Sequence, residues 1–215
     1  MKTTFLLVRH GESLANKETF FAGQTDVPLL ESGANQANLS AEFVKNNYNV
    51  DIIYSSDLMR AYSTAECFSK ILGVEIIKDK GLREIYAGEW EGKQHGDLPT
   101  LFPEEYGNLW LNNIGKAVTP GGESVKQLGE RVINTLEKIA RENPEKTVLV
   151  TTHATPIRAT QSIVEYGSVD KMGNVPWASN ASVTEIYYAD GKWTLVHASI
   201  DKHLNDYKTS FAGNV

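Results

Sequence analysis

Two histidines stand in matching surroundings. The run Phe5-Leu6-Leu7-Val8 breaks into Arg9-His10-Gly11-Glu12-Ser13, and Val148-Leu149-Val150 passes through Thr151 and Thr152 into His153. Each reads as a short buried strand delivering polar side chains at its carboxyl end, where open α/β sheets hold their ligands. A neutral imidazole beside a guanidinium suits attack on an anionic centre. Gly11 would let backbone come close to the bound group. A second guanidinium, Arg60, follows the β-branched run at 51–56 and would lie in the first turn of a helix, whose unpaired N–H groups favour anions. Ser55, Ser56 or Asp57 could cap that helix. If the strands are parallel neighbours, His10, the 56–60 turn and His153 converge on one rim. Two imidazoles and two guanidiniums suit a transferring phosphoryl group, whose charge spreads over its equatorial oxygens. Taken singly, each is equally a solvated strand end or helix residue, so the recurrence is what argues for a site.

Elements able to position these groups are legible around them. Ala34, Ala37, Ala41, Val44 and Tyr48 keep helical spacing, as do Leu58, Ala61, Ala65, Phe68 and Leu72. A third strand is expected at 74–77. Val125, Leu128, Val132, Leu136 and Ile139 mark one face of a helix over 123–142, and another helix follows His153 over 156–166. Alternating strands at 182–188 and 193–198 flank Asp190-Gly191, a hairpin turn. The succession predicts an α/β three-layer sandwich, with a mostly parallel central sheet, helices on both faces and a C-terminal hairpin. One domain is expected over 1–215, with the tail from Asp201 on the surface. Between Lys80 and Gly122 no period is sustained. A cap-like insertion is expected at about 85–120, with Trp90, Phe102, Tyr106 and Trp110 either touching substrate or packing as satellite core.

Composition narrows the class. The 215-residue chain carries a net charge of −6, which opposes non-specific binding to nucleic acid or an anionic membrane. Its single cysteine, Cys67, cannot close an internal disulfide and reads as a small buried residue of a reducing compartment. No stretch reaches signal-peptide or membrane-spanning length, so a soluble, cytoplasmic protein is expected. His95, His197 and His203 read as surface or strand residues, too scattered with His10 and His153 for a metal site. The 88–94 segment is one residue short of a P-loop, and 122–126 lacks the second glycine of a nucleophile elbow.

Five ordered motifs then carry a resemblance. They are Val8-Arg9-His10-Gly11-Glu12-Ser13; Ser56-Asp57-Leu58-Met59-Arg60-Ala61 with Thr64-Ala65-Glu66; Leu82-Arg83-Glu84 with Gly88-Glu89-Trp90-Glu91-Gly92; Pro120-Gly121-Gly122-Glu123-Ser124; and Thr152-His153 with Ile157-Arg158. From about residue 4 to Ser182 the chain resembles the histidine phosphatase superfamily, also called the phosphoglycerate mutase-like family. The resemblance implies that His10 becomes phosphohistidine, that Arg9, Arg60 and His153 hold the phosphoryl oxygens, and that Glu84 protonates the leaving oxygen and later activates water. It implies a phosphate-pocket position at Asn16 and no metal or other cofactor, and Gly23, Ala154 and Trp90 are expected to touch substrate beside it. Ala154 departs from the family, which usually has glycine after the second histidine.

The phosphatase branch is expected over the mutase. Family mutases resemble one another in an arginine after the acid glutamate and a long basic insertion, whereas Ile85 follows Glu84 here. The stretch 85–120 holds only Lys93 and Lys116 against Glu89, Glu91, Asp97, Glu104 and Glu105. Such a cap would repel a second phosphate. The expected partner is a small-molecule phosphate monoester with a neutral or partly apolar leaving group. A phosphoglycerate mutase, or a phosphate-binding module without catalysis, remains the alternative, and oligomeric state is left open.

Overall fold

Side chains alternate between two cores along the first strand, β1 (Lys2–Arg9). Phe5 and Leu7 join one buried cluster, Leu6 and Val8 another. A strand apolar on both faces must lie inside a sheet covered on both sides. The structure, a computed structural model, describes residues 2–209 and has this arrangement. The elements in chain order are β1, α1 (Leu14–Glu18), α2 (Glu31–Asn47), β2 (Ile52–Ser55), α3 (Met59–Leu72), β3 (Ile76–Lys78), α4 (Leu98–Leu101), α5 (Val125–Glu142), β4 (Thr147–Thr152), α6 (Ala154–Tyr166), β5 (Val183–Ala189) and β6 (Lys192–Ile200).

The six strands form one sheet in the order β3-β2-β4-β1-β5-β6. The first four run parallel, and β5 and β6 are antiparallel, joined at Asp190-Gly191, so the sheet is mixed. On one face Ala41 and Val44 of α2 and Ala65 and Phe68 of α3 cover Leu6, Val8, Ile53 and Leu149. On the other, the stripe of α5 and Ile157 of α6 join Phe5, Leu7, Val148 and Val150. The α/β three-layer reading holds, and the expected neighbours β1 and β4 are paired.

Several boundaries differ from the sequence expectation. Helix α2 starts at Glu31, three residues early, and β3 is shifted to Ile76–Lys78. None of Ser55, Ser56 and Asp57 is the cap residue of α3, which is Leu58. The first-turn N–H of Met59 is taken by Asp26 Oδ1 from a distant loop at 2.7 Å. Asp57 instead grips Arg83. Residues 80–116 wind into short 3-10 turns, α4 and a π-helical stretch, Pro103–Trp110.

The tail after Asp201 is not simply surface. Lys202–Tyr207 forms a 3-10 turn against α2: Leu204 is fully buried and His203 stacks on Phe43 at 4.5 Å. Stacking on Phe43 and a 2.8 Å contact of Nε2 with Ser40 Oγ also take His203 out of the exposed class expected for it. Among the described residues no helix is long and apolar enough to cross a membrane.

Candidate active site

Strand register brings the two histidines together. Arg9 of β1 lies opposite Thr152 of β4, and the His10 N–H donates to the Thr152 carbonyl at 2.9 Å. The next residues, His10 and His153, therefore face each other with ring centroids 5.3 Å apart and planes at 63°. Ser55 of β2 pairs with Thr151, which sets Ser56 beside His153: its Oγ is 2.8 Å from Nε2. From the first turn of α3, Arg60 reaches the same rim and donates to the carbonyls of Gly23 (2.7 Å) and Thr25 (3.0 Å). Arg9 Nη1 donates to the Ala178 carbonyl at 2.7 Å.

Hydrogen bonding assigns the His10 ring proton. His10 Nδ1–H donates to the Gly11 carbonyl at 2.7 Å, so Nε2 carries the lone pair. His153 Nε2 shares a 2.8 Å hydrogen bond with the Ser56 hydroxyl, and its Nδ1 is buried with no hydrogen-bond partner among the described residues. Burial, then the charges of Arg60 and Arg9, push the His10 pKa well down; burial and Arg60 do the same to His153. Both rings are neutral at pH 7. Arg9 and Arg60, desolvated and sustained by Glu84, are lowered to about 10 and stay charged.

Glu84 is the opposite case. Its carboxylate accepts from the Ile85 N–H at 2.8 Å and the Thr155 N–H at 3.3 Å, yet burial outweighs these bonds and raises its pKa. Its backbone is tightly clamped. Thr152 Oγ1 donates to the Leu82 carbonyl at 2.7 Å, and Arg131 donates to the carbonyls of Gly81, Arg83 and Glu84 while forming a two-pronged pair with Glu123. Arg131 came from no motif reading, because its role depends on contacts about fifty positions away.

These groups border a cavity of about 270 Å³. Of the residues expected at the site, Arg9, His10, Asn16, Gly23, Arg60, Glu84 and Ala154 line it, and His153 lies fully buried against His10. Asn16 Oδ1 accepts from Ser13 and from Asn180 Nδ2 at 3.2 Å, which leaves its own amide N–H groups for the cavity. Gly23 has φ +53°, and its carbonyl serves Arg60. Trp90 does not line the cavity. It is fully buried, 5.1 Å from the Tyr106 ring and 5.4 Å from Trp110, so it is the core beneath the wall. Tyr106 and Trp110 do line it, whereas Phe102 packs behind.

Gly11 also serves another purpose than expected. A Cβ there would fall 2.2 Å from the Gly33 carbonyl oxygen, so its missing side chain lets the loop press on α2 rather than on a ligand. Sequence reasoning missed Asn180 and Thr209, which line the cavity, and misplaced His95, which also does. Asn180 Nδ2 donates to the His10 carbonyl at 3.0 Å and its Oδ1 accepts from Thr209. Because β5 is antiparallel to β1, the chain entering β5 starts at the active rim; only that pairing would have revealed Asn180.

A mixed α/β sheet whose rim gathers two neutral imidazoles, two guanidiniums and a carboxyl with a raised pKa defines a phosphoryl-handling enzyme. The chain belongs to the histidine phosphatase superfamily (branch 1), whose family model matches residues 5–201. It is 35% identical over 192 residues to putative phosphoserine phosphatase 2 of Hydrogenobacter thermophilus, covering 89% of this chain and 92% of that one. The solved structure of Bacillus stearothermophilus YhfR matches with a TM-score of 0.88 at 27% identity, over 94% of this chain and 99% of that one. A mutant phosphoserine phosphatase from Entamoeba histolytica, solved with phosphoserine, matches with a TM-score of 0.82 at 28% identity, over 94% and 99%. The chain is accordingly a phosphomonoesterase.

Proposed function

We propose that this phosphomonoesterase works through a phosphohistidine on His10 and hydrolyses a small-molecule phosphate monoester. The observation that carries the reading is the Nδ1–H bond of His10 to the Gly11 carbonyl, which leaves Nε2 bare beside His153 in a cavity walled by Arg9 and Arg60. The Nε2 lone pair attacks phosphorus as the bond to the ester oxygen breaks. Glu84 gives that oxygen its proton and the alcohol leaves. Water then attacks phosphorus, loses a proton to the Glu84 carboxylate, and the P–N bond electrons return to Nε2. Arg9, Arg60 and His153 hold the phosphoryl oxygens, with Asn16 adding its amide. One carboxyl thus exchanges acid and base roles, and its raised pKa suits the first of them.

The segment at about 85–120 acts as a cap that grips the leaving group. Among the described residues lining the cavity, Arg9 and Arg60 are the only lysine or arginine side chains, Glu12 and Glu84 are acidic, and Phe20, Phe21, Tyr106, Trp110 and Trp177 form an aromatic patch. That supports a monophosphate whose leaving group has no net charge, and gives a mutase no cation for a second phosphate. Serine, the leaving group of the phosphoserine in the matched structure, is a net-neutral zwitterion. Purified protein should release phenol from a chromogenic aryl phosphate in the presence of EDTA, and His10→Ala should not. Comparable turnover of bisphosphorylated sugars would count against the substrate reading, and equal activity of His10→Ala against the nucleophile.

A further inference from the structure

The hydrolase reading uses the phosphate end of the cavity and leaves one polar pair in its wall without a role. His95 and Tyr106 both line the cavity, and His95 Nδ1 is 3.2 Å from the Tyr106 hydroxyl. Neither is loosely placed. The His95 N–H donates to the Thr19 carbonyl at 3.0 Å, its ring lies 5.3 Å from Phe21, and Tyr106 is wedged against Trp90. Burial lowers the His95 pKa and raises that of Tyr106 to about 12, so both are neutral at pH 7.

A neutral imidazole and a phenol own two donor protons, and the bond between them uses one. If Tyr106 donates to Nδ1, the ring keeps its Nε2–H. If Nδ1–H donates, the phenol keeps its O–H. In either arrangement one donor remains with no second partner among the described residues, and such a donor beside the cavity favours an oxygen acceptor. We propose that His95 and Tyr106 form a specificity pair for the leaving group, selecting monophosphate esters that carry an uncharged or anionic acceptor oxygen a few bonds from the ester. This rests on the hydrolase reading and extends it from the phosphate to the alcohol.

Two esters of near-equal intrinsic reactivity test it: propyl phosphate and its counterpart with a terminal hydroxyl. The protein should turn over the hydroxylated ester with a kcat/KM about three- to tenfold higher, the worth of one neutral hydrogen bond. His95→Phe and His95→Leu remove the ring donor, and each should bring the ratio of the two esters towards one. His95→Gln, which keeps an amide donor, should retain part of the preference. Using two apolar variants leaves a result if one fails to fold, and the ratio is insensitive to a uniform loss of activity. A preference of one in the unsubstituted protein, or an undiminished preference in either apolar variant, overturns the specificity pair. Failure to hydrolyse either ester, together with no release of phenol from an aryl phosphate, overturns the hydrolase reading instead.

Discussion

Replacing Glu84 by glutamine should separate the two halves of the reaction. The carboxylate accepts one backbone N–H on each oxygen, Ile85 at 2.8 Å and Thr155 at 3.3 Å. Glutamine has the same size but a single oxygen, so its NH₂ must face one of these donors. One stranded buried donor costs about 1–3 kcal/mol, which a domain with about 5–15 kcal/mol of stability survives. The chemistry should suffer more. With an alkyl phosphate the leaving alkoxide finds no proton, and transfer to His10 should slow by about 10²- to 10⁴-fold. With a nitrophenyl phosphate the phenolate leaves unaided, so the first half survives while the second, which needs a base for water, stalls. Stopped-flow absorbance should then show a burst of about one nitrophenolate per active site followed by slow turnover. Equal slowing of both esters with no burst would refute the dual role of this carboxyl.

Three further outcomes follow from other contacts. Gly11→Ala sets a methyl against the Gly33 carbonyl, backbone on backbone, and should destabilise the protein by about 3 kcal/mol in urea titration; an unchanged midpoint would sink the packing argument. Arg131→Met removes the clamp on 81–84 and leaves Glu123 alone, so kcat should fall with KM nearly unchanged, and Arg131→Lys, lacking the planar fork, should recover little; full activity in either would deny it a positioning role. His10 and His153, held neutral by burial and by Arg60 and Arg9, take protons in the unfolded chain below about pH 6.5. Each therefore removes about 1.4 kcal/mol of stability per pH unit as the medium becomes more acid than that. Glu84 acts oppositely: its raised folded pKa adds stability that is complete below the unfolded carboxyl value and fades as pH rises through the raised one. Denaturation curves at about pH 7 and about pH 5.5 should show a shallower acid loss for His10→Ala than for the unsubstituted chain, and identical slopes would contradict the buried neutral imidazole.

Local pattern carried the sheet well because β1 and β4 declare themselves: an apolar run meeting a histidine twice is short-range information, as are the stripe of α5 and the Asp190-Gly191 turn. Residues whose purpose comes from remote partners were opaque. Asn180 enters the site because β5 runs antiparallel to β1, and Thr209 because the turn at 202–207 docks on α2. Trp90 carried no mark to distinguish it from Tyr106 and Trp110, since 80–116 folds as irregular turns in which no period tells inside from outside. Helix α3 hid its cap for the same reason, borrowing Asp26 from across the loop.

The most direct measurement is where phosphorus resides in mid-reaction. Protein mixed briefly with an aryl phosphate, quenched in alkali to preserve phosphoramidate bonds, and digested for mass analysis should carry one phosphoryl group on the peptide containing His10, absent from His10→Ala. A phosphoryl group on any other side chain, or brisk turnover with none on His10 at any time point, would contradict the account.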